Sequence, residues 1–279
     1  MNGPKRTVHF FEKGDKMIEQ KKQSRLKYYL ISTAAVAIFL IAWYLATDVF
    51  GVFRYNMLPS PVKVAKGFIF KMTSTVPDGN TLLAHIRSSL FVVMVGYLIG
   101  VTAGIPTGIL MAWYKPIDNM VRPVFDFLRV IPGVAWIPVF TVWLGIGIEA
   151  KAAIIFTNVF VGTVVNVYSG IKQTNEVHIW VAQTFGASRL EVLRRVAIPS
   201  ALPYLFTGLK VSLSMAWLGI VAAELLASQR GLGYLIQVSR SLGRADLVMV
   251  GMITIGLIGA LLTVILEVLE RIFIKGGRK

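Results

Sequence analysis

The chain alternates long apolar runs with shorter polar segments, and the length of the apolar runs gives the first prediction. A helix needs about 20 apolar residues to cross the hydrocarbon core of a membrane. Runs of this kind occur at Tyr28–Thr47, Ile86–Trp113, Met120–Gly145, Ala150–Gly170, Ala201–Ser228 and Asp246–Ile274. The pattern predicts an all-α integral membrane protein with six transmembrane helices and both chain ends on one side.

The composition agrees with a membrane protein and excludes several chemistries. Hydrophobic residues make up 55% of the chain and charged residues only 15%, whereas soluble domains carry about 25% charged residues. The sequence contains no cysteine. Disulfides, thiol catalysis and cysteine-ligated metals are therefore excluded.

The formal net charge is +15, and the distribution of the Lys and Arg residues along the chain indicates the orientation of the spans. In a soluble protein such a charge would suggest nucleic acid, but membrane proteins keep Lys and Arg in their cytoplasmic loops. Most of these residues fall in the two tails, the Trp113–Arg122 turn and the loop at 173–199. We therefore predict no nucleic-acid partner, and cytoplasmic termini on a multi-pass membrane protein surrounded by lipid.

The basic segment at 1–27 precedes the first apolar run. A cleaved signal peptide is the alternative, but both the polar segment and the apolar run are too long for one. The sequence thus favours a cytoplasmic tail over 1–27 and a transmembrane domain over 28–279. After the first span, Val64, Phe68 and Met72 recur every four residues beyond Pro61. This spacing predicts an amphipathic helix over Val62–Met72 along the outer interface, with a plain solvated loop as the alternative.

Small residues and prolines mark two of the spans. Gly96, Gly100, Gly104 and Gly108 recur at every fourth position of the second span and predict a smooth face against which another helix packs closely. The third span contains Pro123, Pro132 and Pro138. Prolines free backbone carbonyls, so this span should be distorted and should line a cavity.

Polar residues inside the predicted spans are the candidates for a solute path. Asp126 and Arg129 are three apart, so they share a helix face and could form a structural ion pair or act on a solute. Glu224 lies deep in the fifth span, where a carboxylate needs a cavity or a partner; a structural hydrogen bond and a solute contact both remain open. Asn158, Asn166 and Tyr168 on the fourth span could line a path or bridge helices.

A charged segment, Trp180–Pro199, separates the fourth and fifth spans and suggests a docking surface for a soluble partner. The three histidines are far apart, and no HExxH, GxSxG or zinc-ligand spacing occurs. No GxxxxGK[ST] phosphate loop occurs either. We therefore expect a protein that is not an enzyme, binds no metal or cofactor, and does not itself hydrolyse ATP.

The charged segment also carries a family pattern. In this pattern Glu-Ala-Ala is followed by three residues, a Gly, nine residues, and then an aliphatic residue, any residue, an aliphatic residue and Pro. Ala182, Gly186 and Pro199 fit at the required spacing, as do Val196 and Ile198. Other matching stretches are Leu58–Pro61, Leu128–Pro132, Ala135–Pro138, Trp143–Gly147, Asn166–Gly170, Thr184–Arg189, Ala201–Tyr204, Ala222–Glu224 and Gly231–Leu235. Over about residues 55–275 the chain resembles permeases of bacterial ABC importers, in the nitrate/sulfonate/taurine-type subgroup.

The resemblance implies a type I ABC importer permease fold in the bacterial inner membrane, with a permease domain over 28–279 and a coupling loop at about 173–199. It implies a coupling helix that docks on a cytoplasmic ATPase, which would hold the ATP and Mg²⁺. The residues it implies for coupling are Trp180, Ala182, Gly186, Arg189, Glu191, Arg194, Arg195 and Pro199. For the three arginines, contact with lipid headgroups or solvent is the alternative.

The resemblance also implies a homodimer of permeases and an extracytoplasmic binding protein that delivers a small, anionic solute onto Val62–Met72 and 229–244. The expected translocation path includes Arg129, Trp136, Asn158, Asn166 and Glu224. Two departures from the family pattern bear on this expectation. Trp180 and Val181 replace the motif Glu and first Ala, so the docking contact should be more apolar, and Val130 and Gly133 replace prolines frequent in the subgroup.

Two rival classes remain beside the importer. An ion-gradient-driven secondary transporter or channel should carry ionisable relays in several spans, whereas only Glu224 is well placed for one. A membrane scaffold without transport would leave the proline-broken third span unexplained.

Overall fold

A computed structural model describes residues 30–53 and 57–275, with side chains to Phe273. Every regular element in this part of the chain is helical. The predicted tail at 1–27 lies outside the described residues. The chain divides into two compact units, residues 1–66 and 67–279.

The helices, numbered along the chain, alternate long spans with short connecting pieces. They are α1 (Leu30–Val49), α2 (Pro61–Thr73), α3 (Leu82–Trp113), α4 (Lys115–Val130), α5 (Ile137–Leu144), α6 (Ile148–Lys172), α7 (Glu176–Thr184), α8 (Arg189–Val192), α9 (Ile198–Leu226), α10 (Leu232–Ser241) and α11 (Ala245–Lys275). A 3₁₀ turn, Gly133–Trp136, precedes α5. Helix α2 occupies the stretch where the sequence predicts an amphipathic helix.

The predicted spans correspond to helices in the structure. Five helices of the described residues are long and apolar enough to cross a membrane, and a sixth span results if α4 and the segment Gly133–Leu144 are counted as one. Those two pieces meet at an angle of 89°. The break follows Val130, at the second of the predicted prolines, so the expected distortion of the third span is confirmed.

In the first unit, α1 ends in a π-helical turn, Leu45–Val49. The indole Nε1 of Trp43 donates a hydrogen bond to the carbonyl of Pro59 at 3.1 Å. This bond fastens the end of the first span to the chain that leads into α2.

Helix α6 is the centre of the second unit, and α3 and α9 make the most extensive contacts with it. The glycine face of α3 lies directly on α6. A Cβ atom on Gly96 would stand 2.7 Å from the Cβ of Ile155, and one on Gly100 would stand 2.7 Å from the Cβ of Val159. The small residues predicted to allow a close helix approach do so, and the helix they admit is α6.

The two ends of this helix packing differ in chemistry. At one end, Ala112, Ile171, Leu193, Ala197 and Ala201 form an apolar cluster next to α7 and α8. At the other end, the start of α3 and the end of α9 bury polar side chains, among them Ser89 and Glu224. We call these the coupling end and the polar end.

The segment Trp180–Pro199 consists of two helical pieces separated by a turn that contains Gly186. Helix α7 ends at Thr184, and a new helix begins at Arg189 and runs without interruption to Leu226. A π-helical turn at Leu193–Ala197 lies directly before Pro199. Because a π turn relaxes the backbone ladder, it lets the helix pass a residue that lacks an N–H donor. The fifth span therefore starts twelve residues before the predicted Ala201.

Candidate functional site

A cavity of about 420 Å³ lies at the bend of the third span. Its wall combines the break between α4 and α5 with the middle of α6 and α9. It is lined by Arg129, Ile131, Pro132, Gly133, Val134, Thr157, Asn158, Val161, Gly162, Val211, Met215, Leu218 and Gly219. The lining is apolar apart from one guanidinium, one amide and one hydroxyl, as is usual for a small-molecule site. We call it the bend cavity.

Arg129 also lines a second cavity, of about 220 Å³, toward the coupling end. The walls of this inner cavity include Arg122, Asp126, Tyr168 and Ser169. Since one arginine belongs to both walls, the two cavities meet at its side chain. Its Nε lies 3.1 Å from Asp126 Oδ1, and both side chains are nearly half exposed.

Asn158 is fixed in the bend cavity by two glycines. A Cβ on Gly133 would overlap the Asn158 amide, and a Cβ on Gly219 would stand 2.7 Å from its Nδ2. Gly133 belongs to the bent third span and Gly219 to α9. The absence of side chains at both positions makes the room that Asn158 occupies.

Two further residues of the predicted path lie beside the bend cavity rather than in its wall. Trp136 stacks on Phe140 with ring centroids 5.6 Å apart, and its buried Nε1 has no hydrogen-bond partner among the described residues. Asn166 donates to the carbonyl of Gly162 at 2.8 Å and fills the space above Gly208. Asn166 thus lies in the α6–α9 contact.

Glu224, the remaining predicted path residue, lies at the polar end and is 1% exposed. The hydroxyl of Ser89 contacts its two carboxylate oxygens at 2.7 and 2.9 Å. The backbone N–H of Gly233 donates to it at 2.9 Å. Glu224 is therefore enclosed by protein donors and lines none of the cavities described above.

These contacts form a cap on the first turn of α10, whose N–H groups have no partner within the helix. Besides the bond to Glu224, the N–H of Leu232 donates to Ser89 Oγ at 3.0 Å and the N–H of Gly231 donates to His85 Nδ1 at 3.1 Å. Three side chains from two spanning helices thus satisfy three consecutive backbone donors. The cap anchors α10 to α3 and α9.

Behind the cap, His85 adjoins an ion pair that is also buried. Its Nε2 lies 2.9 Å from Asp78 Oδ2, bent away from hydrogen-bond geometry, and Lys71 Nζ lies 2.5 Å from Asp78 Oδ1. Lys71 also donates to the carbonyl of Val76 at 3.1 Å. These bonds hold the segment between α2 and α3 against the start of α3.

At the coupling end, α7 and α8 meet in a tight turn at Gly186. Its φ of +82° belongs to the left-handed region, which favours glycine. The next helix begins with a capping box: Ser188 Oγ accepts from the N–H of Glu191 at 3.3 Å, and the Glu191 carboxylate accepts from the N–H of Ser188 at 2.9 Å. The structure thus places Glu191 in the cap of α8.

The surface around this turn is unusually apolar. Phe185 is 87% exposed, Trp180 is 59% exposed, and Val177, Val181 and Leu190 are exposed beside them. Arg189, Arg194, Arg195 and Pro199 are also exposed, whereas Ala182 is half-buried. We call the surface of these residues the α7–α8 surface.

The sequence analysis missed three groups of residues. Phe185 was passed over, although a bulky aromatic next to a turn glycine is a signal of an exposed contact. Ser89 and His85 carried no recognisable pattern, because their roles depend on α10 folding back onto α3. Asp118 and Arg122 were also missed, although they continue the helical spacing of Asp126 and Arg129 and could have been found from it. Among the described residues no cluster of His, Asp and Glu could hold a metal ion.

Comparison with known proteins places these features in a family. Residues 104–279 match the family described as binding-protein-dependent transport system inner membrane component. The taurine transport system permease protein TauC of Escherichia coli (strain K12) is 32% identical over 244 residues, covering 86% of this chain and 87% of that protein. The nitrate import permease protein NrtB of Leptolyngbya laminosa is 34% identical over 181 residues, covering 65% of each chain.

A solved structure shares the fold. A chain of the MetNI methionine ABC transporter, in an inward-facing conformation, superposes with a TM-score of 0.59 at 18% sequence identity. The superposition covers 71% of this chain and 96% of that chain. At this level of identity the similarity concerns the arrangement of helices alone.

Proposed function

Because the chain belongs to the family of binding-protein-dependent transport system inner membrane components, we propose that it forms the membrane path of an ATP-driven importer for a small anionic solute. The observation that carries this proposal is the pair of cavities that meet at Arg129. In the bend cavity the single charged side chain is a cation in a mostly apolar wall, which suits a small anion. The name of the nitrate relative agrees with that charge, and taurine, named for the other relative, is a zwitterion that carries a sulfonate group.

In this proposal Arg129 and Asn158 contact the solute in the bend cavity. The guanidinium offers charge-assisted hydrogen bonds, and the amide offers one donor and one acceptor. Trp136 and Asn166 support the wall from behind. Glu224 acts on the path through its hold on α10 and makes no contact with the solute.

The α7–α8 surface is the proposed docking site for a cytoplasmic ABC ATPase, which would carry the ATP and Mg²⁺. Exposed aromatic side chains at the end of a membrane protein favour burial against a partner. Phe185 and Trp180 would enter an apolar groove, and Arg189, Arg194 and Arg195 would make polar contacts at its rim. Because α8 continues into α9, a movement of the ATPase would be passed directly to the helix that lines the bend cavity. Gly186, Ala182 and Pro199 would set the shape of the segment between α7 and α9.

The remaining partners follow from family membership. A permease of this class works with ATPase subunits and an extracytoplasmic binding protein. We propose that the coupling end faces the cytoplasm, as the distribution of Lys and Arg indicates, and that a second copy of this chain completes the path. The segment 229–244, which contains α10, would receive the binding protein at the opposite end, and lipid would surround the remaining spans.

The proposal is tested by co-purification of this chain with its cognate ATPase. Phe185→Ser should remove most of the bound ATPase and abolish ATP-driven uptake, because the exposed ring would no longer fill its groove. Val142→Ser is the matched control, since Val142 is 82% exposed but lies on α5. Equal ATPase recovery from both variants would overturn the docking site.

The alternative, an ion-gradient-driven transporter or channel, predicts a different result. Proteoliposomes containing the permease without its ATPase would then take up nitrate or taurine in response to an ion gradient. The importer requires that uptake appear only when ATPase, ATP and binding protein are all present.

A further inference from the structure

Helix α4 carries four charged side chains of alternating sign on one face. Asp118, Arg122, Asp126 and Arg129 are separated by four, four and three residues. Side chains at these spacings lie above one another along a helix. They form a single stripe, which we call the α4 stripe.

The stripe is organised as two ion pairs. Arg129 Nε lies 3.1 Å from Asp126 Oδ1, and Arg122 Nη2 lies 3.0 Å from Asp118 Oδ2. Tyr168 on α6 joins the second pair, because its hydroxyl donates to Asp118 Oδ2 at 3.2 Å and also contacts Arg122. Arg122 further lies over the Tyr168 ring, 5.0 Å from its centroid.

Three members of the stripe face the inner cavity, and Arg129 faces both cavities. A solute leaving the bend cavity toward the coupling end would therefore meet Arg129 first and Arg122 two helical turns later. Tyr168 and Ser169 of α6 also line the inner cavity. The stripe thus reaches from the residue shared by both cavities along the inner one.

The exposure of Arg129 and Asp126 makes their pair exchangeable. Both arginines are 46% exposed and Asp126 is 45% exposed, whereas Asp118 is 13% exposed and also accepts a hydrogen bond from Tyr168. The Arg129–Asp126 pair is weak, since water screens it, and the guanidinium of Arg122 stays open to solvent beside the less exposed Asp118. An anion that enters the cavity can therefore replace the aspartate as the partner of the guanidinium.

We propose that Arg129 and Arg122 are two successive binding positions for a small oxyanion, and that Asp126 and Asp118 are resident counter-ions that the anion displaces at each step. This inference rests on the proposed import path and assigns the residues that bind the solute in the inner cavity. The ligand class is an oxyanion with a sulfonate, nitrate or carboxylate group, whose oxygens match the fork of a guanidinium.

The two aspartates would allow the anion to leave the arginines of the stripe. Two arginines without counter-ions would hold an anion tightly. A carboxylate beside each guanidinium competes with the bound anion, which lowers its affinity and promotes release. Conduction requires binding that is strong enough for entry and weak enough for departure, over more than one site.

The absence of cysteine from the chain allows a direct test on the full-length permease in lipid nanodiscs. Val165→Cys places one thiol in the wall of the inner cavity. The thiol is reacted with anionic sulfonatoethyl methanethiosulfonate and with its cationic trimethylammonioethyl analogue. The reaction rate of the anionic reagent is divided by that of the cationic reagent, and this ratio is compared with the same ratio for free cysteine. A higher ratio in the cavity reports a local preference for anions. The anionic reagent is itself a sulfonate.

The stripe predicts a clear preference for the anionic reagent at Val165→Cys. Arg122→Gln with Arg129→Gln should lower this preference by about tenfold, the scale expected for removing nearby cations from a partly solvated site. Arg122→Lys with Arg129→Lys should retain it, and Asp118→Asn with Asp126→Asn should raise it. Nitrate and ethanesulfonate should slow the anionic reagent when the arginines are present.

A control thiol at Ser241→Cys, which is exposed on α10 away from the stripe, should show the same ratio in every background. Absence of an anion preference at Val165→Cys would overturn the proposal, as would a preference that survives the double glutamine variant. If the glutamine variants do not yield monodisperse protein, the asparagine pair decides, since an unchanged preference there overturns the role of the aspartates. The assay contains no ATPase, so its outcome is independent of the Phe185 experiment.

Discussion

The backbone N–H of Gly233 donates to the carboxylate of Glu224 at 2.9 Å and joins the start of α10 to the end of α9. The same carboxylate is held by the Ser89 hydroxyl on α3. One buried side chain therefore connects three helices at the polar end. This relationship explains how a carboxylate can be buried there, since an unpartnered buried charge would be strongly unfavourable.

Replacing Glu224 should destabilise the protein more than replacing an exposed carboxylate. Glu224→Leu leaves the Gly233 donor and the Ser89 hydroxyl without a partner, which should lower the free energy of unfolding by about 1–3 kcal/mol. Glu224→Gln retains one acceptor oxygen and should cost less. Thermal unfolding in detergent measures both, with the exposed Glu149→Gln as control; an equal effect of Glu149→Gln and Glu224→Leu would contradict the cap.

A Gly→Ala substitution on the glycine face of α3 and one on α11 should change the free energy of unfolding in opposite directions. Gly100→Ala would place a Cβ 2.7 Å from the Cβ of Val159, so overpacking should destabilise by about 1–3 kcal/mol. Gly256→Ala on α11 meets no atom within 4 Å and should stabilise by up to about 1 kcal/mol through helix propensity. Denaturant titration of the purified chain compares them, and the prediction fails if Gly100→Ala is neutral.

Gly133 and Asn158 should show strong energetic coupling. A Cβ on Gly133 overlaps the Asn158 amide, so Gly133→Ala should force that side chain out of place and reduce ATP-driven uptake. Asn158→Ala removes the amide that the new Cβ would overlap. The loss of free energy of unfolding in the double variant should therefore be smaller than the sum of the losses in the two single variants. A coupling free energy of about 0.5–3 kcal/mol is expected for residues in contact; strictly additive losses would show that the two positions are independent.

The turn at Gly186 should tolerate substitutions in the order Asn, Ala, Val. No atom lies within 4 Å of a Cβ at this position, so only backbone strain opposes a side chain, and Asn adopts positive φ more readily than Ala or a β-branched residue. ATP-driven uptake and recovery of the ATPase should fall in that order. Gly243→Val is the matched control, because Gly243 also has positive φ and open surroundings but lies after α10, and ATPase recovery should remain normal there.

Much of the fold could be predicted from local sequence. The length of the apolar runs predicted the spans. The three prolines predicted a distorted third span, because a missing N–H and a ring clash act on the nearest turn of helix. The break lies at Pro132, whereas Pro123 lies inside α4 and Pro138 in the first turn of α5. The glycine spacing on α3 predicted a close helix contact. In each case the physical cause lies within a few residues of its effect.

The candidate site could be predicted less completely from the sequence. Arg129 and Asn158 were selected as polar residues within apolar segments, and the structure brings them into one cavity. Glu224 was selected on the same ground but lies in the α10 cap. A polar residue in a span needs a hydrogen-bonding partner. The sequence alone does not show whether that partner is another residue of the protein or the transported solute.

The sequence by itself determined the membrane class, the order of the spans and the placement of charge along the chain, because hydrophobic length and helical periodicity are properties of contiguous residues. Only the tertiary structure decided that α6 receives the glycine face of α3, that Ser89 and His85 cap α10, and that Arg129 lies where two cavities meet. These relationships join residues up to 146 positions apart. They depend on helix packing, in which side chains from distant segments compete for the same space, and no local pattern contains that information.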